Sequence, residues 1–126
     1  MFRINPRFNT QLGTGIYSSK KGFIMDPYKL SYAAPSSIHG KGLFAKVEIS
    51  RGTYMGTYKG PEAKRNGSHV LWVYEDDGEV VGRRGLNKLR YLNHCDSPNA
   101  EFDGFDLYCV GDILPGDEIT INYDAA

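Results

Sequence analysis

The sequence has no apolar run long enough to cross a membrane or to form the core of a secretory leader. A membrane-spanning or exported protein is therefore not expected, and the chain reads as soluble and intracellular, cytoplasmic or nuclear. It has two cysteines in 126 residues, Cys95 and Cys109, and they form no CxxC pair. Two thiols are too few to staple a secreted fold and are expected to stay reduced. Three histidines, at 39, 69 and 94, are scattered rather than spaced as metal ligands, so no structural zinc is expected. Lys41 is followed by Gly42 rather than by Ser or Thr, which excludes a P-loop, and no GxGxxG fingerprint occurs. The acidic triplet Glu75-Asp76-Asp77 lacks the staggered ligands and closing Glu of a calcium loop, and reads as a turn.

What remains is a chain that is 40% hydrophobic and 13% aromatic, with 15 glycines. That composition suits one packed domain, large enough to bury roughly two-thirds of its unfolded surface. β-Branched and aromatic runs at residues 43–47, 53–60, 69–75, 79–82, 100–102, 105–110 and 118–123 read as short strands. Turn signals separate them at Asn66-Gly67, Asp76-Asp77-Gly78, Asp103-Gly104 and Pro115-Gly116, with one helical turn over 88–92. The fold class is all-β, without internal repeats.

Charge is zero overall but unevenly placed. Residues 1–30 carry Arg3, Arg7, Lys20, Lys21 and Lys29 against Asp26 alone, a net +4, and the remainder is −4. Residues 1–28 read as a basic, aromatic arm with one strand near 22–25, packed on the domain or on a second copy. Residues 29–126 read as the domain proper. Interleaved cations and rings can stack on single-stranded nucleic acid, but packing is the better account and direct nucleic-acid binding is not expected. No helical register marks the arm as a membrane-surface helix. The basic arm and the acidic body can simply complement one another, or the acidic body can attract a cationic peptide, and composition does not choose between the two.

Four segments carry the chemistry: Ser37-Ile38-His39-Gly40-Lys41-Gly42-Leu43-Phe44-Ala45, Tyr58-Lys59-Gly60, the stretch from Gly85-Leu86-Asn87 through Arg90-Tyr91-Leu92-Asn93-His94-Cys95-Asp96-Ser97-Pro98-Asn99, and Gly116-Asp117-Glu118-Ile119-Thr120-Ile121-Asn122-Tyr123. Singly each has a plain structural reading. Gly-Lys-Gly makes a tight turn, Tyr58 and Tyr123 are core aromatics, Asn93 and Asn99 are turn caps, and His94 is a satisfied histidine. The glycines permit positive φ and the close approach of a ligand to backbone amides.

In this order and spacing the four segments resemble the GxG, YxG, GN…RFxNHSCxPN and GEExTxxY motifs of the SET domain, the fold of many protein-lysine methyltransferases. The resemblance covers residues 29–123. It implies a β-clip fold of short strands whose C-terminal strand threads a loop and brings Asn93-His94 beside Tyr123. It also implies that His39, Gly40, Lys41, Gly42, Asn93 and His94 bind S-adenosylmethionine, that Tyr123 and Tyr58 are catalytic, and that Tyr58, Phe102 and Ile121 line the substrate channel. Phe102 would then bear on how many methyl groups fit, or it is plain core.

The implied substrate is a lysine in a basic protein segment such as a histone tail, and the implied reaction needs no metal. A lysine amine, protonated with a pKa of ~10.4, must be neutral to attack a sulfonium methyl. A narrow apolar channel favours that form, and fixed alignment can supply roughly 7–11 kcal/mol of the barrier.

The sequence departs from the family pattern in three places. Cys95-Asp96 stands where Ser-Cys is usual, so a post-SET zinc cluster is not expected. The sequence stops three residues after Tyr123, and the insert between Gly60 and His69 is short. The channel walls are then expected from a partner, a second subunit in a homodimer, or the chain's own arm. The alternative is a non-catalytic SET-fold module that binds peptide or cofactor only.

Overall fold

The computed structural model describes residues 2–4 and 26–124. Among these, the strands in chain order are β1 (Phe2–Ile4), β2 (Ser31–Pro35), β3 (Lys41–Ala45), β4 (Tyr54–Thr57), β5 (Glu62–Ala63), β6 (Val70–Tyr74), β7 (Val80–Arg84), β8 (Asn93–His94), β9 (Ala100–Asp103), β10 (Asp106–Cys109) and β11 (Glu118–Ile121). Two 3₁₀ turns, Pro27–Lys29 and Lys88–Tyr91, complete the regular structure of the described residues. The strands form three small open sheets, ordered β1-β6-β7-β5, β4-β10-β9 and β2-β3-β11-β8. The all-β expectation holds.

Period-two burial positions the core. In β9 and β10, Ala100, Phe102, Leu107 and Cys109 point inward while Glu101, Asp103, Asp106 and Tyr108 are only partly covered. Leu43, Ile49, Met55, Leu71, Leu89, Leu92, Leu107, Ile113 and Ile119 are fully buried and join one cluster with Tyr58, Phe102 and Ile121. Turn chemistry closes the hairpins as the sequence predicts. Gly78 (φ 90°) and the Asp77 carboxylate, which accepts from Glu79 N at 2.9 Å, form the β6–β7 turn. Gly116 (φ 89°) follows Pro115, and Asp117 N donates to Leu114 O at 3.0 Å, the geometry of a type II turn.

β11 is the strand that builds the site. One edge pairs antiparallel with β3 and the other parallel with β8, setting Thr120 opposite Asn93 and Ile121 opposite His94. Residues 27 positions apart in sequence thus become neighbours, as the β-clip resemblance requires.

Several sequence expectations shift. β3 starts at Lys41, two residues earlier than the apolar run suggests, because its pairing with β2 continues to Pro35↔Lys41. The strand expected over 53–60 stops at Thr57. β2, β5 and β8 carry no clear strand signal. The arm supplies β1, parallel to β6, whereas the strand expected near 22–25 lies outside the described residues. The turn expected at Asn66-Gly67 falls instead at Ser68-His69. His69 has φ 62° and is the one non-glycine residue with positive φ among those described. Asn66 spends its side chain otherwise, accepting from Trp72 Nε1 at 2.5 Å.

Candidate functional site

A cavity of about 410 Å³ opens where three segments converge. His39–Lys41 forms one wall, Ser68-His69 a second, Arg90–Asn93 a third, and Tyr123 closes it. The volume falls within the range of roughly 300–1,000 Å³ typical of small-molecule sites.

Asn93 holds the first wall in place. It is 6% exposed, and its Nδ2 donates to His39 O (3.0 Å), Lys41 O (3.0 Å) and Glu118 Oε2 (2.9 Å). With Ser36 Oγ at 3.2 Å, four acceptors share the two N–H bonds of this one amide nitrogen and fix the orientation of the side chain. Ser36 Oγ donates to the same Glu118 carboxylate at 2.8–2.9 Å. Gly42 lies against that carboxylate. A Cβ there would stand 2.2 Å from Glu118 Oε2 and 3.0 Å from Ser36 Cβ. The glycine is therefore required by close approach of the protein's own side chain, not by positive φ, which Gly40 alone of the pair adopts (46°).

His94 and Tyr123 form the next unit. Tyr123 N donates to His94 Nδ1 at 3.0 Å, and His94 Nε2 meets Asp96 Oδ1 at 2.7 Å. The tautomer that serves both carries its proton on Nε2. The two rings meet edge to face, with centroids 5.2 Å apart. Tyr123 Oη donates to Leu92 O at 2.8 Å.

Tyr58 is fully buried behind the second wall. Its hydroxyl donates to His69 O at 2.6 Å, and its ring packs edge to face on Phe102 at 5.7 Å. Gly85 makes room for it, since a Cβ there would lie 2.4 Å from Tyr58 Cζ. Burial, and then the nearby Tyr123, push the Tyr58 phenol well above its ordinary pKa. Burial, and then the Glu118 charge, push Tyr123 up as well. Both phenols stay protonated at neutral pH, and both direct a proton at a main-chain carbonyl.

Two cations border the cavity. The Arg90 guanidinium lies 4.4 Å from the centroid of the Tyr91 ring, and Lys41 Nζ 5.3 Å from it. Arg90 is fixed by Nη1 on Asn87 O (3.0 Å) and Nη2 on Tyr91 Oη (2.6 Å). The wall is thus aromatic and positively charged, able to receive a carboxylate beside a flat ring.

Of the residues singled out from sequence, His39, Gly40, Lys41, Asn93 and Tyr123 line the cavity. Gly42 and His94 support it from behind, the first through Glu118 and the second through Tyr123. Tyr58, Phe102 and Ile121 lie in the core next to it, each at most 1% exposed. Sequence reasoning passed over Ser36, Ser68, His69 and Tyr91. Glu118 stood inside a quoted motif without a role. His69 had no signal, because nothing local marks a residue that folding will hold left-handed.

The sequence profile of the SET domain matches residues 40–124. A curated relative, the histone-lysine N-methyltransferase SETD7 of Halocynthia roretzi, is 28% identical over 149 residues, covering 94% of this chain and 38% of its own length. The histone-lysine N-methyltransferase MEDEA of Arabidopsis thaliana is 30% identical over 89 residues, covering 61% of this chain and 13% of its own. The chain therefore spans well under half of either relative. Among solved structures, Polycomb repressive complex 2 (ctPRC2) in an autoinhibited conformation bound to S-adenosylmethionine superposes with a TM-score of 0.62 at 19% identity, over 74% of this chain and 15% of that one. That likeness concerns the fold.

Proposed function

The chain belongs to the SET-domain family, and on that footing we propose that it transfers a methyl group from S-adenosylmethionine to a lysine side chain in a basic protein segment. The observation that carries this reading is the paired commitment of Tyr58 and Tyr123. Each hydroxyl gives its proton to a main-chain carbonyl, at 2.6 and 2.8 Å; Tyr123 closes the cavity, and Tyr58 lies buried next to it behind His69, which lines it. A phenol whose proton is spent offers only lone pairs. An amine entering between two such oxygens turns its N–H bonds toward them and leaves its own lone pair free for attack.

The cavity suits the cofactor in size and donors. The His39–Lys41 backbone held by Asn93 would hold it, with Lys41 and Arg90 serving its carboxylate. When bound, the cofactor supplies an electrophilic methyl on a sulfonium. The protein's part is to bind, align and exclude water, with alignment the largest single contribution. The net −4 of residues 31–126 supports a basic substrate.

Methyl transfer from labelled S-adenosylmethionine to lysine-rich peptides tests the proposal. Tyr123→Phe should keep cofactor affinity and lower kcat by roughly 10-fold or more, the worth of an orienting hydrogen bond of about 1–2 kcal/mol. An unchanged rate would remove Tyr123 from the mechanism. Cofactor binding without transfer to any peptide would replace the enzyme by a cofactor-binding module.

A further inference from the structure

The left-handed residue His69 has no counterpart among the motifs that define the family resemblance, yet it joins Tyr58 to the Arg90–Tyr91 wall of the cavity. Its carbonyl accepts both Tyr58 Oη (2.6 Å) and Gly85 N (2.9 Å). Its imidazole reaches the opposite way, with Nδ1 3.1 Å from Arg90 O, and its ring meets Tyr91 edge to face at 6.2 Å. Because Arg90 O can only accept, the proton sits on Nδ1. Both flanking residues constrain the position, since Ser68 lines the cavity and Val70 starts β6 in the core. A φ of 62° costs free energy for any residue but glycine, and least for Asn, Asp and His among the rest.

We infer that His69 is a positioning residue, whose left-handed backbone, tethered through Nδ1 to Arg90, aims the carbonyl that takes the proton of Tyr58. The consequence is one of polarity. A Tyr58 hydroxyl without that acceptor could rotate and donate to the lone pair of an incoming amine, quenching the nucleophile it should orient. With the proton fixed on His69 O, Tyr58 is an acceptor only. The tether also runs to the Arg90–Asn93 segment that walls the cavity, so occupancy of the cavity and orientation of Tyr58 share one residue. This rests on the methyl-transfer reading for its meaning, but not for its geometry.

Three variants separate the backbone from the tether. His69→Asn keeps left-handed tolerance and places an amide donor near Nδ1. His69→Gly keeps the backbone and drops the tether. His69→Val loses both, and its branched Cβ disfavours the conformation. The direct readout is NMR of protein labelled with ¹³Cζ-tyrosine, in which the Tyr58 resonance reports the hydrogen bond of its hydroxyl without any turnover. The inference predicts a native Tyr58 shift in His69→Asn and a displaced one in His69→Val. It further predicts that kcat falls at least 10-fold in His69→Val, and that His69→Val adds no further loss in a Tyr58→Phe background. A native Tyr58 shift in His69→Val, or full additivity with Tyr58→Phe, would overturn it. If the wild-type protein transfers no methyl group, the NMR shifts still decide the inference while the methyl-transfer reading fails alone.

Discussion

At the scale of single residues the site is a matter of where protons are. His94 accepts at Nδ1 and faces a carboxylate at Nε2, while Tyr58 and Tyr123 each donate to a carbonyl. Neither phenol is available as a base, because burial raises both. The lysine must therefore lose its proton to water before it reacts. This fixes the expected pH dependence. At limiting peptide concentration the rate should rise with pH through one ionisation, that of the substrate amine, and a pH–rate profile up to about 10 should show no second limb from tyrosine. A limb that disappears in Tyr123→Phe would mean that the phenolate participates.

Much of this was legible in the sequence, because Asn93, His94 and Tyr123 sit in motifs whose spacing survives any local ambiguity. His69 was not legible. An Asn-Gly pair two residues upstream is the stronger turn signal by propensity. It lost the turn because Val70 and Leu71, which are fully buried, fix where β6 must begin, leaving His69 to absorb the bend.

At the scale of elements, β11 makes the site and the β4-β10-β9 sheet bears a cost. On the partly covered face of that sheet Glu101 stands across from Tyr108, and Asp103 across from Asp106. Burial raises the Glu101 carboxyl, while burial and then Asp106 raise Asp103. A carboxyl with a raised folded pKa stabilises the fold below its unfolded value and loses that contribution as pH climbs through the folded one. Thermal stability should thus decline as pH climbs above the ordinary carboxylate range on account of these two groups. Glu101→Gln should raise Tm at pH 7 by about 2 °C, corresponding to about 0.5 kcal/mol, and flatten the decline. A lower Tm in calorimetry at pH 7 would show that the Glu101 charge is compensated.

The hairpins on this sheet were readable from Asp103-Gly104 and the alternating pattern. The two-residue strand β8 was not, since two residues hold no period and its pairing is set by β11, 27 positions away.

At the scale of the whole molecule, the three small sheets of the described residues share one core, and a cavity opens where the first motif, the Asn-His stretch and the last strand meet. The fold class and the convergence of those segments follow from the order of the motifs. The support behind them, Ser36 and Glu118 under Asn93, does not, because each works through a side chain reaching across some 25–80 positions. The central claim is that this cavity binds S-adenosylmethionine through the wall that Asn93 holds. Isothermal titration with S-adenosylmethionine and S-adenosylhomocysteine, on the wild-type protein and on Asn93→Ala, tests it most directly. Binding by the wild type is expected, with a loss of at least 10-fold in Asn93→Ala, since removing the amide frees His39 O and Lys41 O at roughly 1–3 kcal/mol. Equal affinity in both proteins, or none in the wild type, would contradict it.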